Sequence, residues 1–310
     1  MASRATLGET PTTVGSHMSH PLIIWENPVP DDLRDPVLVC ALDGWIDAGY
    51  GSAAAVGNLK LQIRTQRLLR FDIDELLDMR ARRPVMRLIN GVNTELRWPR
   101  LQIRHGRDPL GAHVLVLTGP EPDFRWNRFT DALMELVEQL GVRLCVNLGA
   151  FPAPVPHTRP LSLSSTATTQ DLAERIGYVD ASFEIPAGIT AAIERAFAEA
   201  GKPAVGVWAR VPHYVASMMF PSAAASVLDG LARVSGLVID TEELHGAGRR
   251  VVQQVNELVS NNPEHRDMVH QLEAQVDSES VQGAMAPVTE QDLPTGDELA
   301  AELERFLREQ

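Results

Sequence analysis

Residues 112–149 read "AHVLVLTGPEPDFRWNRFTDALMELVEQLGVRLCVNLG", and the fold follows from how this stretch divides. The first eight residues form a mainly apolar run, as do the last eight, "VRLCVNLG". Between them Phe129, Leu133, Leu136, Val137 and Leu140 recur at helical spacing on one face, and Gly141 provides the stop. Strands without polar alternation are buried on both faces, and a helix striped on one side covers one of them. The unit is strand–helix–strand, which predicts a largely parallel sheet between helices, a three-layer α/β/α sandwich.

The same alternation continues towards the N-terminus. "PLIIWE" (21–26), "PVLVCAL" (36–42), "RLLRFDI" (67–73), "VMRLING" (85–91) and "TELRWPRLQIRH" (94–105) are strand candidates, and "SAAAVGNLKLQ" (52–62) is a small-residue helix. The pair at 85–105 reads as a hairpin or strand–loop–strand excursion. Towards the C-terminus, "TTQDLAERIG" (168–177) is a short helix with Thr168 at its N-cap. "AGITAAIERAFAEAG" (187–201) is another, "PAVGVWARVP" (203–212) a strand, and "PSAAASVLDGLARVSG" (221–236) a helix opened by Ser222.

Five segments are expected. Residues 1–20 are small and polar, contain "GSHM", and read as disordered or expression-derived, without the apolar stretch of a secretory signal. Residues 21–240 form the α/β/α domain. Residues 241–276 read as a helical hairpin, because Leu244, Gly248, Val251, Val255 and Leu258 recur every three or four positions, Asn261–Pro263 break the pattern, and Met268, Leu272 and Val276 resume it. Residues 277–294 read as a polar linker. Residues 295–310 read as a terminal docking helix, opened by a Thr295–Glu298 capping box and carrying Leu299, Leu303, Phe306 and Leu307 on one stripe. A helix this short is marginal alone in water, so the stripe must dock somewhere.

The net charge of −13 excludes nucleic acid and anionic membrane as partners, since residues 231–310 hold 16 acidic residues against 6 arginines. The one basic region, 61–107, has 11 arginines against 5 acids, interleaved with strand-like apolar residues, and reads as a solvated face. No run of eighteen apolar residues is present, so no membrane span is expected. Two cysteines, Cys40 and Cys145, both in apolar runs, read as buried hydrophobes of a cytoplasmic protein.

No metal or cofactor is expected, since no H-E-x-x-H, C-x-x-C, P-loop or nucleophile-elbow pattern is present. "GYGSAA" (49–54) mimics a dinucleotide fingerprint, but six residues separate it from the preceding strand, so Asp47 is read as a helix cap instead. Asp43 and Asp47 flank Trp45 in a turn marked by Gly44 and Gly49, where aspartates serve as turn and cap residues. In "GAFPAPVPHTRP" (149–160), four prolines fix φ and stiffen the chain into a polyproline-like arm suited to recognition. Both loops leave apolar strands, so the crevice at the carboxyl ends of a parallel sheet should hold Trp45 and residues 152–160 together.

"DGWIDAG" (43–49), "PHTRP" (156–160), "VPHYVA" (211–216) and "LPTGDELAAELERFLRE" (293–309) resemble the proteasome assembly chaperone 2 family, in its bacterial, actinobacterial-type branch. The resemblance implies a phosphorylase- and peptidyl-tRNA-hydrolase-like sandwich, self-association with a trimer as the expected order, and proteasome subunits as partners. It assigns no catalytic residue. It marks Asp43, Gly44, Trp45, Asp47, Gly49, Pro156, His157, Thr158, Arg159 and Pro160 as the motif through which binding is expected. Some archaeal relatives dock through a hydrophobic–Tyr–any-residue tail. This chain ends "FLREQ", with Glu309 at the tyrosine position, so that mode is not expected of it. A non-enzymatic assembly-chaperone-like protein is the leading expectation. The alternative is a nucleoside- or phosphate-type binder or enzyme on the phosphorylase-like fold, using Asp43, Asp47, His157 and Arg159, the last holding an anion by a fork contact.

Overall fold

The computed structural model describes residues 20–282 apart from Trp45, Asp180, Ala181 and Phe183. In chain order the elements are β1 (Ile23–Trp25), β2 (Val37–Asp43), α1 (Gly51–Gln62), β3 (Gln66–Phe71), α2 (Ile73–Leu76), β4 (Val85–Ile89) and β5 (Val92–Arg97). There follow β6 (Gln102–Arg107), β7 (His113–Pro120), α3 (Trp126–Gln139), β8 (Leu144–Ala153), β9 (Leu163–Ala167), α4 (Gln170–Glu174) and α5 (Ile189–Glu199). The chain continues through β10 (Ala204–Pro212), α6 (Pro221–Ser235), α7 (Glu242–Ser260) and α8 (Pro263–Gln282).

Eight strands form one sheet in the order β1-β3-β6-β7-β2-β8-β10-β9. The central four, β7, β2, β8 and β10, run parallel, and the flanking strands are antiparallel to their neighbours. The parallel centre coincides with the unalternating apolar runs, because it is buried on both faces. Along β2 the side chains divide strictly: Val37, Val39 and Ala41 join one core with α1 and α6, whereas Leu38 and Cys40 join a second core with α3 and α5. Phe129, Leu133, Leu136 and Val137 of α3 lie in that second core, as their spacing requires. Fully burying one such side chain contributes about 1.5–3 kcal/mol. The architecture is therefore α/β, with helices on both sides of a mixed sheet and helices added at the C-terminal side.

Several boundaries differ from the sequence reading for local reasons. Residues 94–105 are two strands rather than one, divided at Pro99, and β5 pairs only with β4, outside the main sheet. Strand β9, "LSSTA", was not expected; it pairs antiparallel with β10 at the end of the sheet. Thr169, not Thr168, precedes α4, and the Thr168 hydroxyl instead accepts from Ala204 N–H at 3.0 Å. Phe220 holds the N-cap of α6 and Pro221 its first turn, where a missing N–H costs nothing. Helix α8 runs to Gln282, so residues 277–282, expected in a linker, are helical. Residues 1–19 and 283–310, with the expected terminal docking helix, lie outside the described residues. None of the described helices is long and apolar enough to cross a membrane.

Candidate functional site

The carboxyl ends of β2, β7, β8 and β10 share one side of the sheet. Three of the motif stretches meet there. Asp47 forms an isolated parallel bridge with Ala150, which brings the 43–49 loop against the end of β8. Gly49 N–H donates to Ala216 O at 2.6 Å, and Phe220 N–H donates to Gly49 O at 2.9 Å, so the same loop is bolted to the segment after β10. Gly49 has φ +65°, and a Cβ there would stand 2.8 Å from Phe220 Cβ; backbone handedness and space both require glycine. Asp47 also takes N–H bonds from Ser52 (2.7 Å) and Ala53 (3.0 Å), one on each carboxylate oxygen, and so caps the entry to α1. Asp43 lies beside it, its carboxyl pushed up by partial desolvation and by the charge of Asp47. Trp45 lies outside the described residues.

The proline stretch does not project. Strand β8 continues through Pro152 in register with Val211 of β10, and Pro152 is tolerated because β8 has by then lost its ladder to β2. Beyond it Val155, Pro156 and His157 are buried, His157 to 3% exposure. The expected free arm is instead held by its own chain, each of three successive residues bonding elsewhere. His157 N–H donates to the Tyr214 hydroxyl (2.8 Å), Tyr214 Oη stands 2.7 Å from His157 Nδ1, and Nε2 stands 3.0 Å from Asn256 Oδ1 on α7. An amide oxygen can only accept, so Nε2 carries the proton and Nδ1 accepts from Tyr214. This leaves a neutral imidazole with both nitrogens satisfied. Burial holds its pKa below 6.5 and pushes Tyr214 up to about 12.

Thr158 Oγ1 donates to Glu273 Oε1 of α8 at 2.5 Å. Arg159 forks onto Asp277 (2.9 and 2.7 Å) and reaches Glu273 (3.1 Å). The Thr158 hydroxyl holds the Glu273 carboxyl below its usual range, and the Arg159 guanidinium does so for Asp277. Pro160 is exposed. Of the four groups named for an anion-binding or acid–base reading, three are thus committed to structural bonds: Asp47 to α1, His157 to Tyr214 and Asn256, Arg159 to α8.

The feature to which the motifs assign no role is the β4–β5 hairpin, which answers to the excursion expected at 85–105. It turns through Asn90 and Gly91, both at positive φ, and among the described residues pairs with no other strand. All eleven of its strand residues are exposed, among them Val85, Met86, Leu88, Ile89, Val92 and Leu96, followed by Trp98 at 52%. Opposed residues share a face, so Met86, Leu96 and Leu88 form a mainly apolar side that Asn93 completes. Val85, Arg87, Ile89, Val92, Glu95 and Arg97 form a mixed one. The signal was present as interleaved arginines and apolar residues, but it reads equally as a solvated face of the main sheet.

Residues 41–259 match the family model described as the PAC2 family. A Mycobacterium tuberculosis protein of unknown function, Rv2714, is 34% identical with a TM-score of 0.77, over 86% of this chain and 94% of that one. A Corynebacterium glutamicum protein of unknown function is 30% identical, TM-score 0.77, over 83% and 97%. The Mycobacterium tuberculosis proteasome-assembly chaperone homologue Rv2125 is 33% identical, TM-score 0.70, over 75% and 99%. No curated protein matches the chain. With the family model spanning most of its length and these relatives covering three quarters or more of it, the chain belongs to the PAC2 family.

Proposed function

We propose that this protein acts by binding other proteins, copies of itself included, as a cytoplasmic assembly factor that makes and breaks no covalent bonds. The observation that carries the reading is the exposed β4–β5 arm. An isolated two-stranded hairpin is at best marginally stable in water, and contiguous exposed apolar residues mark contact surfaces. The apolar side, Met86, Leu88 and Leu96, has the composition of an interface core. A second copy of the chain is its first occupant, in a trimer as the family resemblance implies. Proteasome subunits are the proposed clients, because the 33% identical relative Rv2125 is a proteasome-assembly chaperone homologue.

Light scattering coupled to size exclusion tests self-association: the chain should elute as an oligomer, and Leu88→Ser/Leu96→Ser should yield monomers with little loss of fold, since both side chains are already exposed. A monomer at micromolar concentration would remove the reading. Retention of proteasome α-subunits on the immobilised oligomer tests the client, and no enrichment over the double variant would leave self-association alone.

A further inference from the structure

We propose that the mixed face of the β4–β5 arm is the seat of residues 295–309 of the same chain. This rests on the arm being a contact surface, and gives its second face an occupant different from its first. Val85, Ile89 and Val92 supply the apolar ground of that face, with Arg87 and Arg97 standing over it. Neither arginine makes an ion pair among the described residues. Around the hairpin, residues 80–100 carry six arginines against the single acid Glu95.

The C-terminal segment has the complementary pattern. Residues 283–310 hold seven acids against two arginines. In 295–309, helical spacing sets Leu299, Leu303, Phe306 and Leu307 on one stripe and places Glu298, Glu302 and Glu309 along one side of it, with Arg305 the one cation in that row. An apolar stripe edged by carboxylates fits an apolar face edged by guanidiniums, and Arg binds carboxylate in a planar fork.

The segment can reach. Helix α8 bonds the 157–159 loop through Glu273 and Asp277, so its last turns lie on the carboxyl side of the sheet. The arm springs from the same side. Arg82 at its base meets Asp123 after β7, and the returning backbone at Arg100 packs on Gly119 at the end of β7. Only β2 stands between β7 and β8, so the two strands are about 10 Å apart. The twelve residues 283–294 can span about 40 Å.

Hydrogen exchange on the full-length protein tests the seat. Amides of residues 85–97 should exchange at least about tenfold faster in Leu303→Asp/Leu307→Asp than in the parent. Arg87→Glu/Arg97→Glu should give the same loss, and adding Glu298→Arg/Glu302→Arg to it should restore protection. With Val92→Cys and Leu303→Cys in one chain, a short bis-maleimide should link the two within a single molecule. Exchange unaffected by either pair of variants, or links formed only between copies, would overturn the proposal. Light scattering on the same samples separates the two readings. An oligomer whose arm is protected regardless of the tail leaves self-association standing and this inference fallen; a monomer with tail-dependent protection does the reverse.

Discussion

At the residue scale, the centre of the motif cluster is a neutral histidine that has been taken out of water. Burial lowers the pKa of His157, and of His105, His113 and His213, from 6.5. A histidine depressed in the folded state binds more protons when unfolded, so stability is full above pH 6.5 and is lost as pH falls towards the folded values. Asp43 and Glu194 act in the opposite sense, because burial raises their carboxyls above 3.8 and 4.5 and they favour the folded state at still lower pH. The midpoint of thermal unfolding should therefore fall between pH 7 and pH 5, and His157→Gln, which cannot titrate, should flatten that slope. His157→Ala leaves the Tyr214 hydroxyl and Asn256 without their partner and should cost about 1–3 kcal/mol in urea unfolding. Asp47→Ala, which uncaps α1, should cost about 1–2 kcal/mol in the same measurement.

At the scale of elements, α7 is seated by a close approach as much as by its apolar stripe. A Cβ at Gly248 would lie 2.3 Å from Ser222 Oγ and 3.0 Å from Ser222 N at the start of α6. Gly248→Val should force the two helices apart, at about 1–3 kcal/mol, and speed limited proteolysis between residues 242 and 282. What the sequence made legible follows the same logic of burial. The runs that became β2, β7, β8 and β10 were readable because both faces of each are covered. "LSSTA" was not, because β9 lies at the end of the sheet and its Ser165 hydroxyl bonds Ala173 O and Gly177 O instead of packing. The last six residues of α8 look like linker because no apolar stripe runs through them; what holds them is Asp277 against Arg159, 118 positions away. Nor could spacing reveal that His157 would meet Asn256, 99 positions on, so the middle of the proline stretch, Pro156 and His157, is buried where an arm was expected.

At the scale of the molecule, the interlocking of three loops and a helical pair makes one unit of the carboxyl side of the sheet, while the β4–β5 arm remains a separable attachment. Replacing residues 85–97 by a short Gly-Ser link should leave the unfolding midpoint of the remaining core close to the parent's, measured at equal and low protein concentration so that mass action does not enter. The full chain, by contrast, should melt at a temperature that rises with concentration. The two ends of the sheet bear on how copies can join. One is β1, three residues long, and the other is β9, short and serine-rich. Such termini offer almost no unpaired amide row to a neighbour. Extension of the main sheet by a neighbour's strand is thereby disfavoured, and the longer open edges lie instead on the β4–β5 hairpin, the arm proposed as the contact surface.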